Sequence, residues 1–350
     1  SIIMGVSDVG GVIGEGYKTT INNCYNLGYV SGNGSDIGGV GGNIKYVNIT
    51  NSYNEGIVTG DSSSIGGVIG HYSVNSNDNT ISNCYNDGFV NGKSYVGGVC
   101  GIGNVIGNEN VGGITGGNYC KITECYNAGD VSGDTIIGGI TGNHRSQSTY
   151  TQYAYNVGRV SGDSDVGGII GKLSQGSIYY SYNSGEIIAN DANYGNAGGI
   201  AGDQGNLNYN ATINSCYNLS SSIKTTGSGS WTYCGGIVGK TGYYAYLNNC
   251  YNSGNIVNSS AKSKGGIAGH IYNYENRFFY PSNCAYLKGS ATSGTGNSYT
   301  PSSDTYKIKA LSEEEMPDVL SVIGTSYFEE DTNNINNGYP ILKWQVEEQE

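Results

Sequence analysis

The sequence predicts an all-β fold, a right-handed parallel β-helix (β-solenoid) of about ten coils with a small C-terminal cap that contains one short helix. Three observations predict it: a motif repeated along most of the 350 residues, a composition with 60 Gly and 32 Tyr but only 4 Pro, and a charged content of 13%. Soluble domains usually hold about 7% Gly and about 25% charged residues. We divide the chain into a repeat solenoid, residues 1–298, and an acidic cap, residues 299–350.

A Tyr-Asn pair recurs along the chain and alternates with a Gly-Gly pair. Its tyrosines are Tyr25, Tyr53, Tyr85, Tyr126, Tyr155, Tyr182, Tyr217 and Tyr251, with a degenerate ninth copy at Tyr286. Runs rich in Val, Ile and Tyr lie between turn residues, which favours short strands. A propeller blade needs roughly 40–50 residues, more than most of these units contain, so stacked coils fit better. The stretch between Gly97 and Gly112 has no Tyr-Asn pair, which predicts an inserted half-unit.

The repeated positions have structural explanations. Tyr at one position of successive coils is expected to stack in a column, and Asn to form a ladder of side-chain amides. Gly-Gly suits either a positive φ or a close approach of two backbones, and the sequence leaves these two open.

The pattern Tyr-Asn-x-Gly-x-Val-x-Gly followed by Gly-Gly-[Val/Ile]-x-Gly resembles the GLUG-motif repeats of bacterial surface proteins, a repeat type also found next to immunoglobulin A peptidases. The cleanest copy begins at Cys24, and the resemblance covers roughly residues 5–290. Residues 333–344 resemble a terminus seen after such repeats. The resemblance implies a secreted or surface repeat protein without catalytic residues. The chain has no His-Glu-x-x-His motif, so peptidase activity is not carried over.

The charge distribution argues against nucleic acid as a partner. The net charge is −12, and residues 312–350 alone hold 10 acidic residues and 1 basic residue. Nucleic-acid binding needs a basic stripe that releases counterions. No apolar run reaches the roughly 18 residues of a membrane span.

The two ends of the chain lead to different expectations. The chain opens inside a repeat, so we expect an uncapped coil edge that invites self-association, with end-to-end stacking. Ser312 and Glu315 match a capping box ahead of a short helix. We expect the cap to cover the last coil through Tyr339, Ile341, Leu342 and Trp344.

Six of the nine cysteines precede the Tyr position, Cys284 with one residue intervening. Ser or Ala takes that place in other repeats, which predicts a small buried slot and free thiols; the six are Cys24, Cys84, Cys125, Cys216, Cys250 and Cys284. The other three lie elsewhere, and a bridge between two of them, Cys100 and Cys120, is left open, as is the state of Cys234.

Chemistry-bearing residues are sparse, so we expect no enzyme, no cofactor and no metal site. We place His71, His144 and His270 in one solvated loop position that elsewhere holds Lys172, Asp203 and Lys240. The neighbouring carboxylates of Asp163 and Asp165 are expected in solvated turns, although hydrolysis of a polysaccharide would need such a pair. Calcium binding in these Asp/Asn turns stays open.

Tyrosines outside the column are the candidate binding residues. Tyr offers amphipathic contact area at low entropic cost, and rings that pack over coil corners are the alternative; the candidates are Tyr72, Tyr179, Tyr180, Tyr243, Tyr244, Tyr246, Tyr272 and Tyr274. We therefore expect a non-enzymatic extracellular or cell-surface protein, a stalk, adhesin or filament subunit. Its partners would be further copies of itself or extracellular glycans and proteins. The alternative is a β-helix that binds or cleaves carbohydrate.

Overall fold

Most of the chain forms stacked parallel strands. The computed structural model describes residues 1–73, 80–97, 105–106, 109–112, 115–118, 121–144, 146–205, 208–257, 260–272, 279–297 and 308–347. Within one repeat the chain passes through four short strand positions and then returns to the first, one repeat further along. We call the four resulting stacks faces 1 to 4. Every strand pair in them is parallel, and the register joins the same motif position of successive repeats, as in Tyr25–Tyr53–Tyr85.

Face 1 carries the Tyr-Asn pairs. Its strands are Thr20–Asn22, Tyr25–Asn26, Asn48–Thr50, Tyr53–Asn54, Thr80–Ser82, Tyr85–Asn86, Lys121–Asn127, Tyr150–Asn156, Gly176–Tyr179, Tyr182–Asn183, Ala211–Asn214, Tyr217–Asn218, Ala245–Asn248, Tyr251–Asn252, Phe279–Ser282, Cys284–Leu287 and Ile308–Leu311. Face 2 follows with Ile2–Gly5, Tyr29–Gly32, Ile57–Gly60, Val90–Asn91, Val105–Ile106, Val131–Ser132, Val160–Gly162, Ile187–Ala189 and Ile223–Thr225.

Faces 3 and 4 complete each repeat, and the Gly-Gly pair begins at the end of face 3. The strands of face 3 are Val9–Gly10, Ile37–Gly38, Ser63–Gly66, Ser94–Gly97, Glu109–Gly112, Thr135–Gly138, Ser164–Gly167, Asn196–Gly198, Tyr233–Gly235 and Ser263–Gly265. Face 4 has Ile13–Tyr17, Gly41–Lys45, Ile69–Ser73, Thr115–Asn118, Thr141–His144, Ile170–Leu173, Ala201–Gln204, Val238–Thr241 and Ala268–Ile271. The all-β, solenoid-like arrangement that the repeats predict is thus confirmed.

The interior consists of two apolar strips. Alternate residues of each short strand point inward, so most repeats supply one apolar residue from face 2 and one from face 3 to the strip between these faces. Val30, Val58 and Val90 form such a column and are fully buried. The second strip lies between faces 1 and 4 and includes Ile49 and Ile44.

The Asn of each pair forms the expected amide ladder. Asn54 Nδ2 donates to Asn86 Oδ1 at 2.7 Å, and Asn183 Nδ2 donates to Asn218 Oδ1 at 2.9 Å. The same Nδ2 of Asn183 also donates to the Gly185 carbonyl at 3.1 Å. The Asn54 and Asn183 amides therefore each join their own turn to the next repeat, which satisfies polar groups that are buried.

The ladder also explains the Gly-Gly pairs. A Cβ at Gly39 would lie 2.0 Å from the carbonyl oxygen of Gly67 and 2.6 Å from Asn54 Oδ1. Positive φ among the described glycines occurs at Gly176, Gly205, Gly289, Gly324 and Gly338, all outside the pairs. Of the two alternatives, the close approach of two backbones is the one that the structure supports.

The tyrosines of face 1 stack as expected. Ring centroids of Tyr53 and Tyr85 are 4.6 Å apart, and those of Tyr217 and Tyr251 are 5.1 Å apart with planes 1° apart. The strand pairing of this column stops at Tyr85 and starts again at Tyr126. Between them, faces 2 and 3 gain the strands Val105–Ile106 and Glu109–Gly112, so the predicted half-unit insertion is confirmed.

The C-terminal segment, residues 312–347, lies along face 1. It contains a 3-10 turn, Met316–Val319, the helices Leu320–Ile323 and Trp344–Glu347, and an antiparallel pair, Phe328–Glu329 with Ile341–Leu342. Ser312 N donates to Glu315 Oε2 at 2.8 Å, the backbone half of the predicted capping box.

The C-terminal segment differs from the predicted cap in two ways. It holds more than one short helix, and its contacts extend well beyond the last coil. They run from Ala285 and Leu287 back to Tyr182 and Tyr155, because the Tyr column offers a continuous aromatic surface. The boundary between residues 298 and 299 stays a prediction. None of the described helices is long and apolar enough to cross a membrane.

Candidate functional site

A cavity lies on face 1, where the Tyr column starts again. It measures about 730 Å³, within the roughly 300–1,000 Å³ of small-molecule sites. It lies against the C-terminal segment and is lined by Asn83, Glu124, Cys125, Tyr126, Tyr153, Tyr155, Tyr180, Ser326, Tyr327, Lys343 and Trp344. We call it the aromatic cleft.

Aromatic rings at differing angles form the wall of the aromatic cleft. The Trp344 ring lies 6.2 Å from Tyr155, at 27°, and 6.2 Å from Tyr153, at 78°. Tyr153 stacks on Tyr180 at 5.3 Å, and Tyr180 lies 4.4 Å from Tyr327. Trp344 Nε1 donates to the Tyr180 carbonyl at 2.9 Å, which fixes the indole orientation. The wall is therefore held in place before any ligand arrives.

Four lining residues, Asn83, Glu124, Tyr153 and Tyr180, occupy an unusual backbone position. The residue two places before each ladder Tyr, or before Ala285 in the last copy, has positive φ, and in most repeats it is Asn or Ser: Asn23, Asn51, Asn83, Ser215, Asn249 and Asn283. At the cleft the same position holds Glu124, Tyr153 and Tyr180, with φ of 53°, 51° and 48°. A bulky residue with positive φ costs roughly 1–3 kcal/mol, and such residues cluster at functional sites.

Polar groups lie at the edge of the aromatic cleft. Glu124 and Lys343 supply exposed charges of opposite sign, and Asn83 supplies an exposed amide. Burial, together with the hydrogen bond to Tyr327, raises the pKa of Tyr180, so this phenol stays protonated at neutral pH. Donors and acceptors around flat aromatic surfaces suit a ligand that has both hydroxyl groups and apolar ring faces.

The predicted binding tyrosines separate into three groups. Tyr180 lines the aromatic cleft, and the Tyr179 ring contacts the Tyr180 ring. Tyr243 and Tyr272 line a second groove beside Lys240. Tyr246 stacks on Tyr280 at 5.1 Å, and Tyr244 has positive φ just before the strand Ala245–Asn248.

The remaining candidates, Tyr274 and the side chain of Tyr72, lie outside the described residues, as do Cys100 and Cys120. Several of the candidates are strand residues rather than loop residues: Tyr179 and Tyr246 lie in face 1.

The prediction that the position after the Gly-Gly pair lies in a solvated loop is wrong. It is a strand position of face 4, and its members pair across strands: Asn143 with Lys172, Lys172 with Asp203, and Asp203 with Lys240. Asp203 is only 4% exposed and binds both Lys172 and Lys240.

His144 does not occupy this strand position. It lies one residue later, pairs with buried Leu173 and is itself buried. Its Nε2 lies 3.0 Å from Thr151 Oγ1. Burial lowers the pKa of His144 to about 3, so the ring is neutral in the folded chain.

The cysteine slot has the predicted character. Cys24 is half-buried, and Cys84, Cys125, Cys216, Cys250 and Cys284 are buried; these and Cys234 are unbridged in the structure. The Cys250 thiol donates to the Asn248 carbonyl at 3.1 Å. Among the described residues, no three His, Cys, Asp or Glu side chains lie close enough together to hold a metal ion.

Sequence reasoning missed most of the aromatic cleft. Trp344, Lys343 and Tyr327 come from the C-terminal segment, whose course along face 1 no local pattern announces. Glu124 and Tyr153 had a readable signal, since each replaces the Asn or Ser that the other repeats place two residues before the ladder Tyr.

No protein-family model matches the chain, and no curated protein matches it. Two solved structures are similar to it. One is the "putative immunoglobulin A1 protease" from Bacteroides ovatus, with 19% identity, a TM-score of 0.46, and coverage of 83% of this chain and 78% of that one. The other is named IgA1 Protease, with 14% identity, a TM-score of 0.41, and coverage of 86% of this chain and 19% of that one.

Proposed function

We propose that this chain is a non-enzymatic adhesive protein of the bacterial surface or extracellular space, built from GLUG-type repeats, and that it binds saccharides in the aromatic cleft. In this proposal the stacked strands form a right-handed β-helix of about ten coils. The solenoid holds the cleft at a fixed place, and the C-terminal segment completes it.

One observation carries the proposal. Aromatic side chains from two separate parts of the chain, face 1 and the C-terminal segment, surround one cavity of about 730 Å³. Pyranose rings have apolar faces that pack on such rings, while their hydroxyl groups need the donors and acceptors of Glu124, Lys343 and Asn83. Rigid Tyr and Trp side chains lose little entropy when a ligand binds.

A panel of host and plant polysaccharides and glycoproteins tests the proposal. We expect selective, saturable depletion of some of them by the immobilised chain, and isothermal titration then gives the affinity for short oligosaccharides. Absence of depletion across the panel would leave only the structural stalk. Release of new reducing ends during the incubation would overturn the non-enzymatic part of the proposal.

A matched pair of variants separates binding from folding. Tyr153→Asn places the residue that other repeats use into the same positive-φ position, so the relieved backbone strain should offset the two lost ring contacts and leave the free energy of unfolding close to that of the parent chain. The same change removes one ring of the wall, and we expect saccharide affinity to fall at least tenfold.

Tyr25→Ala serves as the control, because Tyr25 belongs to the same face but lies in another repeat, away from the cleft. Equal affinities of Tyr153→Asn, Tyr25→Ala and the parent chain for the selected oligosaccharide would contradict the assignment of the cleft.

A further inference from the structure

A second groove runs where faces 3 and 4 meet, on a different part of the solenoid from the aromatic cleft. Two adjoining cavities of about 350 and 400 Å³ share Lys240 and Tyr272. The first is lined by Tyr194, Asn196, Trp231, Tyr233, Lys240 and Tyr272, and the second by Lys172, Asp203, Gly205, Lys240, Gly242, Tyr243 and Tyr272. We call this pair of cavities the charged groove.

The floor of the charged groove is a three-residue ion ladder across neighbouring strands. Lys172 Nζ lies 3.1 Å and Lys240 Nζ 3.3 Å from the same oxygen, Asp203 Oδ2. An ammonium group has three N–H donors, so each lysine has donors beyond the one directed at Asp203. Both lysine side chains stay partly exposed to the groove.

Two further polar side chains, Asp165 and Asn196, lie beside the ion ladder. Asp165 lies nearby, and its pKa is raised by burial and by the charge of Asp203. Asn196 is 5% exposed and donates through Nδ2 to Asp165 Oδ1 at 2.6 Å. Asn196 Oδ1 accepts no hydrogen bond from the described residues, although the side chain lines the groove.

Aromatic rings stand above this floor. Tyr194 and Trp231 are 59% and 47% exposed, which is high for side chains of their size. Tyr233 is held in place by stacking on His270 at 4.3 Å. The charged groove therefore combines exposed rings with two lysines that have further N–H donors. The aromatic cleft instead has charges of opposite sign at its edge.

We infer that the charged groove is a second binding site, for a saccharide that carries a carboxylate. The carboxylate pairs with Lys240 and Lys172, and the sugar ring packs on Trp231 and Tyr194. Charge-assisted hydrogen bonds from two ammonium groups select the ionised ligand over its neutral counterpart. The inference does not depend on saccharide binding in the aromatic cleft.

Titration calorimetry with two probe pairs tests the inference: trigalacturonate against its methyl ester, and 3′-sialyllactose against lactose. We expect at least one acidic probe to bind at least tenfold more tightly than its neutral partner, with an affinity that falls as salt concentration rises. The pair that binds tells a uronic acid from a sialic acid. Binding of neither acid, or equal binding of acid and neutral partner, overturns the inference.

Variants test whether the acidic probe binds in the charged groove. Lys240→Met and Trp231→Ala should each weaken binding of the acidic probe at least tenfold. About half of the Trp231 side chain is exposed, so we expect Trp231→Ala to fold. Lys224→Met is the matched control, because Lys224 forms a comparable ion pair with Glu186 at 3.1 Å on face 2. Trp344→Ala, in the aromatic cleft, should have no effect. Equal losses in Trp344→Ala, or unchanged binding in both groove variants, would contradict the charged groove as the site.

Discussion

Tyr25 and Tyr251 occupy the same position of the repeat in two regions of face 1, and their surroundings differ. Tyr25 is 54% exposed, whereas Tyr251 is fully buried. Tyr251 Oη donates to the Pro340 carbonyl and accepts from Asn336 Nδ2 at 2.7 Å, both in the C-terminal segment. Nothing in the motif distinguishes the two tyrosines. The repeat therefore builds a uniform aromatic surface, and the segment that covers part of it creates both a core and a cleft.

The largest expected effect is on the stability of the covered region. Tyr251→Ala should lower the free energy of unfolding by about 3–5 kcal/mol, because a large buried side chain is removed. Tyr25→Ala should cost less than about 1.5 kcal/mol, the upper range of one aromatic stacking contact. Urea titrations followed by tryptophan fluorescence measure both. Equal costs would show that the C-terminal segment adds nothing to the repeat at Tyr251.

The Asn ladder allows the same comparison between its interior and its end. Asn183 accepts from Asn156 Nδ2 at 2.7 Å and donates to Asn218 Oδ1, so Asn183→Ala removes one hydrogen bond from each of two buried neighbours. We expect a loss of about 2–3 kcal/mol. Asn26, at the end of the described ladder, bonds to one ladder amide, that of Asn54. Asn26→Ala should therefore lower the free energy of unfolding by about half as much as Asn183→Ala. The same urea titrations measure both variants. An equal or larger loss of unfolding free energy in Asn26→Ala would contradict a ladder in which interior amides contribute more than the end amide.

Much of the fold could be predicted from the sequence, because a solenoid repeats one local solution. The positions of Tyr53, Asn54 and Gly39 each follow from the motif and from parallel stacking in register. The cleft could not be predicted in the same way. Trp344 reaches Tyr155 across 189 positions of the chain, and the contact depends on tertiary docking that no periodicity encodes. His144 was misplaced for a simpler reason: a shift of one residue along a strand moves a side chain from one side of the sheet to the other.

Buried and exposed histidines extend the comparison to pH. The folded pKa of His144, about 3, lies below the ordinary 6.5, so the unfolded chain binds a proton below pH 6.5 that the folded chain rejects. Stability should therefore fall as the pH drops from 6.5 towards 3, by up to about 1.4 kcal/mol per pH unit from this group.

His144→Gln should remove that part of the acid sensitivity, since buried Gln204 occupies the same register position two strands along. His71→Gln, at a more exposed position of face 4, is the control. Unfolding midpoints between pH 7 and 4 that shift in parallel for the parent chain and His144→Gln would refute a buried neutral His144.

The cysteine slot gives the smallest effect, on reactivity rather than stability. Cys24 is half-buried, whereas burial raises the pKa of Cys84 and of Cys284 to about 12 and leaves almost no thiolate at neutral pH. Because the thiolate is the nucleophile, one thiol should react quickly with an aromatic disulfide reagent in a Cys100→Ser, Cys120→Ser background. The remaining thiols should react only as fast as the repeats open. Loss of the fast phase in Cys24→Ser confirms the assignment, and several fast thiols would mean that the inner repeats open far more often than their packing implies.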